Sequence, residues 1–119
     1  MTADELSVVL RSSTYNNFSS EKELQEQIQL VLTRAGASFH REVDLTQRKD
    51  IIDFLVAPRL GVEVKIRETL TKVTRQLHRY AQSPLLDVLL FVSTSRQLCA
   101  QIPRELNGKR VVPIAIGGV

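Results

Sequence analysis

The chain has no tryptophan, one methionine and one cysteine, and aromatic residues make up only 5% of its 119 positions. A core with so few rings must be built from Leu, Val and Ile. The single cysteine, Cys99, excludes an internal disulfide, and no metal-ligand cluster surrounds it in sequence. Its setting, LCAQI, suits a buried, inert thiol rather than a nucleophile. No apolar run approaches the ~20 residues of a membrane span. The opening MTADELSVVLRSS carries acids early and only a short apolar run, unlike a secretory signal. These absences lead us to expect an intracellular, reducing setting, no membrane partner and no small-molecule cofactor.

What is present is a globular balance, 43% hydrophobic and 24% charged, on a chain long enough for one domain. The formal charge is +3, and the sequence pI is about 9.4. That bias is compatible with a polyanionic partner. The basic residues are unevenly spread. Lys65, Arg67, Lys72, Arg75 and Arg79 fall within sixteen positions, against Glu68 alone. Composition leaves two readings open, a solvated helix face or a phosphate-facing surface.

Thr2 and Glu5 have capping-box spacing at the start of a short helix, and the polar RSSTYNNFSS that follows reads as a loop. Residues 1–19 are thus expected to be a short helix and loop ahead of one domain over 20–119. Ser20 and Glu23 repeat the capping-box spacing. Leu24, Ile28, Val31, Leu32 and Ala35 then recur on one helical stripe until Gly36. In SFHREVDL, Phe39, Arg41 and Val43 alternate with His40, Glu42 and Asp44. IIDFLVA is a strand by its branched and aromatic residues, and Pro58 and Gly61 bracket a turn. In GVEVKIR, Val62, Val64 and Ile66 face one way and Glu63, Lys65 and Arg67 the other. A helix over 70–82 stops before Pro84, and DVLLFVST reads as a covered central strand. SRQLCAQIPREL is helical with a break at Pro103. Asn107 and Gly108 turn into a last strand, RVVPIAIGG, which Pro113 places at an edge. The order is helix, three-strand meander, helix, strand, then a C-terminal helix and strand. It predicts an α/β (α+β) mixed sheet with helices on its faces.

One stretch, IIDFLVAPRLGVEVK, sets Asp53 inside an apolar strand with Glu63 and Lys65 on the next. Glu63 and Lys65 are two apart and leave the same face. If the two strands pair, Asp53 converges on Glu63. Two close carboxylates repel unless a cation lies between them, and magnesium accepts such a set of hard oxygens. A lysine beside it can orient a water or offset charge on a phosphate. The structural alternative is a solvated Glu–Lys pair, with Asp53 bridged to Arg59 or Lys65.

Asp53, a turn and Glu63-Val64-Lys65 resemble the core motif of the PD-(D/E)xK, restriction-endonuclease-like nuclease superfamily. The element order over residues 20–93 matches that superfamily's core; its usual Pro before the Asp is Ile52 here. Glu21-Lys22-Glu23-Leu24-Gln25 is similar to the glutamate-bearing first helix of many members, with Glu21 favoured over Glu23. Gln76 and Tyr80 resemble the Gln-x-x-x-Tyr element of RecB-type domains; otherwise Tyr80 is core and Gln76 surface. The resemblance implies a magnesium-dependent deoxyribonuclease in which manganese substitutes. Asp53, Glu63 and the Val64 carbonyl would be ligands, Lys65 would position water, and Glu21 would assist. It also implies nucleic-acid contacts from Gln76, Tyr80, Arg67, Lys72, Arg75 and Arg79. DNA is then the partner, in repair, recombination, replication or restriction. Cutting both strands takes two sites, so a homodimer is expected, with the apolar tail RVVPIAIGGV as a candidate interface. The alternative is a non-catalytic DNA-binding or assembly module on the same fold. Neither His40 nor His78 is given a catalytic role.

Overall fold

The structure is a computed structural model that describes residues 1–117. The described chain forms, in order, α1 (Ala3–Ser12), α2 (Glu21–Arg34), β1 (Phe39–Asp44), β2 (Ile51–Val56), β3 (Leu60–Lys65), α3 (Leu70–Tyr80), β4 (Val88–Ser93), α4 (Arg96–Gln101), β5 (Glu105–Leu106) and β6 (Lys109–Ala115). All the strands join one mixed sheet in the order β1-β2-β3-β4-β6-β5. The first three strands are an antiparallel meander, and β4 and β6 run parallel to β3 and β4. No helix is long and apolar enough to cross a membrane among the described residues.

Local chemistry sets the helix ends. The Thr2 hydroxyl accepts from Glu5 N–H at 3.1 Å and the Glu5 carboxylate accepts from Thr2 N–H at 3.0 Å, a complete capping box. Ser20 caps α2 by accepting from Glu23 N–H, but the Glu23 carboxylate reaches back one residue further than expected, to Ser19. Gly36, at φ +75°, closes α2 in a conformation a side chain would resist. Ala35 is exposed at that cap instead of lying on the inner stripe.

The sheet is covered on both faces. Leu6 and Leu10 of α1 and Leu24, Ile28 and Leu32 of α2 pack on Val62, Val64, Leu90 and Val92. On the opposite face Val73, Leu77 and Tyr80 of α3 and Leu98 near the sheet's far end pack with Ile52, Leu89 and Phe91. Each fully buried Leu, Ile or Val side chain contributes roughly 1.5–3 kcal/mol. Residues 1–19 are therefore part of the same core, not a lead-in to it. Tyr15 ties the loop down by donating from its hydroxyl to the Leu10 carbonyl at 2.6 Å.

Several expectations change. β3 begins one residue earlier than GVEVKIR, at Leu60, and at Gly61 a Cβ would meet Ile52 Cδ1 at 2.6 Å. The helix expected to break at Pro103 ends at Gln101, and beyond the break Glu105–Leu106 form a short strand. Asn107 and Gly108, both at positive φ, make the two-residue hairpin turn into β6. That hairpin covers only the start of β6, so the strand is not a full edge; Pro113 lies past the cover, where its missing N–H costs no ladder bond. Arg11 donates to the Pro113 carbonyl at 3.0 Å and further closes this edge to another chain. The last residues of RVVPIAIGGV lie outside the described residues.

The most consequential departure is a break in strand alternation. Phe39 packs toward α1 and α2 whereas Val43, of equal parity, packs toward α3 and α4. Opposite them, Phe54 and Ile52 divide in the same way. Both strands turn over between these pairs, at Glu42 and Asp53. Glu42 carries the strain, at φ 53° in the left-handed region. The β2–β3 ladder correspondingly stops at Phe54 and Val62.

Candidate functional site

Where the ladder stops, carboxylates take over its hydrogen bonds. Val64 N–H donates to Asp53 Oδ2 at 2.7 Å, and Asp53 N–H donates to Glu63 Oε1 at 3.3 Å. Each acid thus satisfies a backbone group that the broken pairing would orphan. The turnover at Asp53 aims its side chain at β3, so the two carboxylates meet between the strands rather than on a shared open face. A residue's N–H and C=O leave a strand on the same side, so the Val64 carbonyl also faces the Asp53 strand.

Both acids hold their protons more tightly than free carboxylic acids do. Burial raises Asp53, against the opposing pull of the Val64 N–H and Lys65. Burial and then the Asp53 charge push Glu63 well above the ordinary range; only 2% of this residue is exposed. Lys65 Nζ stands 3.5 Å from Glu63 Oε2. One cation shared by two acids leaves the pair short of positive charge. Among the described residues Asp53 has no bridge to Arg59, which pairs with Asp87 at 2.8 Å; Lys65 pairs with Glu63 and its charge also acts on Asp53.

Glu21, in the first turn of α2, crosses to the end of β3, where Ile66 N–H donates to its Oε1 at 3.3 Å. Its charge is one of the influences that raise Asp53. Glu23 is held by Ser19 and takes no part. Tyr80 lies beneath the acids with no exposed surface, its hydroxyl donating to the Ile51 carbonyl at 2.7 Å. Burial and the Glu63 and Asp53 charges raise its phenol. Tyr80 is thus withdrawn from the nucleic-acid-binding set. It is a buried support for the strand that carries Asp53, while Gln76, four residues earlier, is half-exposed.

A hollow of about 310 Å³ opens beside Lys65, lined by Glu68, Lys72, Arg75, Gln76 and Arg79. The basic face of α3 therefore adjoins the acid pair. Two of its cations are partly engaged. Arg79 pairs with Asp50 at 3.0 Å and Lys72 approaches Glu68 at 3.9 Å. Arg67 is exposed beyond β3 and does not line the hollow.

Sequence reasoning passed over two residues. Asp50 anchors Arg79 from a polar turn that looked featureless. Arg41 stacks 4.9 Å over the Phe54 ring and donates to Gln25 and Gln29 of α2, both at 2.8 Å. Its inward parity in an alternating strand was the available signal. Among the described residues no three His, Cys, Asp or Glu side chains form a ready metal cluster; the acids form a pair with Glu21 at its margin. Comparison with protein-family models, curated proteins and solved structures finds no match. The site's chemistry rests on its own side chains.

Proposed function

We propose that the chain is a divalent-metal-dependent deoxyribonuclease built on a restriction-endonuclease-like core. The observation that carries this reading is the buried Asp53–Glu63 pair, joined to one lysine that itself lines a basic hollow. The donor set fits magnesium: two hard carboxylates and the Val64 carbonyl. Asp53 Oδ2 accepts from Val64 N–H, and the Asp53 and Glu63 carboxyls also lie within hydrogen-bond reach of each other. A bound magnesium or manganese ion supplies Lewis-acid charge to a phosphodiester.

The protein's own groups do the rest. Asp53 and Glu63 would hold the cation. Lys65, close to Glu63, holds the attacking water in line and offsets charge on the phosphate oxygens. Glu21 borders the same strand end and positions it through Ile66 N–H. Lys72, Arg75 and Arg79, with Gln76, hold the phosphate backbone alongside. A homodimer would provide the second site that cutting both strands needs.

The test is cleavage of plasmid, single-stranded, double-stranded and four-way-junction DNA at low salt, with magnesium, manganese or EDTA. The wild type is expected to cut only with metal, and Glu63→Ala to lose cutting while retaining DNA binding. Salt-sensitive binding without cleavage by the wild type would instead identify a non-catalytic DNA-binding module.

A further inference from the structure

The outer half of α3 presents two adjacent faces. Lys72, Gln76 and Arg79 lie on one, lining the hollow next to Lys65. Thr71, Thr74 and His78 recur at helical spacing on the other. This second face borders a separate and larger hollow of about 680 Å³, bounded on its far side by Gln101 at the end of α4 and by Pro103 just beyond it. Arg75 and Arg79 line both hollows and form the ridge between them.

The two hollows differ in chemistry. The first is rich in cations and suits a phosphate. The second combines the apolar surfaces of Leu70 and Pro103 with His78 and the two arginines of the ridge. Imidazole and guanidinium planes are surfaces on which unstacked bases stack. The ring is held in place, its Nδ1 lying 3.3 Å from the Gln82 amide nitrogen. Thr71, Thr74 and Gln101 add hydroxyl and amide groups able to bond a base edge, and no side-chain hydrogen bond among the described residues uses them. The volume falls within the ~300–1,000 Å³ typical of small-ligand sites.

A site that is anionic-seeking on one side of a ridge and flat, apolar and hydrogen-bonding on the other matches one ligand chemistry, a nucleotide. We infer that the larger hollow receives an unpaired nucleobase of the strand whose phosphates lie on Lys72 and Arg75. Bases within a duplex are stacked and paired and cannot enter. The inference rests on the nuclease reading and deepens it: the substrate is single-stranded DNA, or DNA with an unpaired segment.

The experiment measures binding of the full chain to a single-stranded oligonucleotide, its duplex, and a strand of equal length carrying abasic sites. Salt is held constant, EDTA is present to prevent cutting, and the proteins are wild type, Thr74→Trp and Arg75→Ala. Wild type is expected to bind the single strand roughly tenfold more tightly than the abasic strand, the size of a single base-stacking contact. Thr74→Trp narrows the hollow and sets an indole in its wall, so it is expected to change single-strand affinity while leaving abasic affinity unchanged. Arg75→Ala is expected to weaken both. Equal wild-type affinity for all three DNAs overturns the inference and leaves the nuclease reading standing. Binding to none of them overturns both. Because the abasic comparison uses wild type, a misfolded variant does not decide the result. Loss of self-association in Thr74→Trp, with DNA binding intact, would assign the hollow to a second copy and overturn the inference.

Discussion

Glu63 is the residue on which most of the site's energetics turn. Its carboxyl is raised well above the ordinary 4.5 by burial and by Asp53. A raised acid binds more protons in the folded state than in the unfolded state, so its stabilising effect is complete below the unfolded value. That effect is lost as pH rises through the folded value. Glu63→Gln keeps the shape and cannot ionise. In EDTA, the variant is expected to unfold at a higher temperature than wild type at about pH 8, with the advantage shrinking toward about pH 5. Thermal unfolding across that range checks this. A variant less stable at every pH would mean that the Lys65 contact outweighs the burial and repulsion. Added magnesium is expected to stabilise the wild type at neutral pH and to leave Glu63→Gln little changed, because ligand bound only to the folded state shifts unfolding by mass action.

At the scale of elements, the side chains of Ile52 and Leu86 pack directly over the β3 backbone at Gly61. A Cβ there would come within 2.6 Å of Ile52 Cδ1 and 2.9 Å of Leu86 Cδ2. Those tips are flexible in principle, but both residues are fully buried and have little room to yield. Gly61→Ala is therefore expected to cost about 1–3 kcal/mol through overpacking. Ile52 adjoins Asp53, so the displacement should also disturb the acid pair. Denaturant unfolding measures the first effect and metal-dependent stabilisation the second. A neutral substitution would mean that Ile52 has another rotamer available. The meander was legible while its detail was not. The alternation in SFHREVDL and the branched and aromatic residues of IIDFLVA predict two strands and their pairing, and both form. The turnover at Glu42 and Asp53 leaves no trace in a period-two pattern, because it is imposed by packing on opposite faces of the sheet.

For the whole molecule, charge is arranged by the fold rather than by composition. A net +3 is small, yet Lys65, Lys72, Arg75 and Arg79 converge on one hollow. Sequence clustering indicated this, but it concealed one companion and one outlier. Arg79 is tied to Asp50, twenty-nine residues away, and the exposed Arg67 stands apart from the hollow. Removing Lys72 and Arg75 together is expected to lower the salt dependence of single-strand binding by about 0.7 per lost phosphate contact, so by about 1.4 in the slope of log affinity against log salt. Affinity titrations across a salt series give that slope. An unchanged slope would place the phosphate path elsewhere.

The sequence by itself determined the helix caps at Thr2 and Ser20, the stop at Gly36 and the Asn107-Gly108 turn, because each depends on groups a few residues apart. It also determined that Glu63 and Lys65 share a face, since a strand's period is two. Only the tertiary structure decided that Glu21 rather than Glu23 reaches the end of β3, that Tyr80 is buried beneath the acids, and that two hollows meet at Arg75. It alone turned Asp53 toward Val64. Those features arise where elements distant in sequence pack together and must satisfy one another's backbone groups and charges.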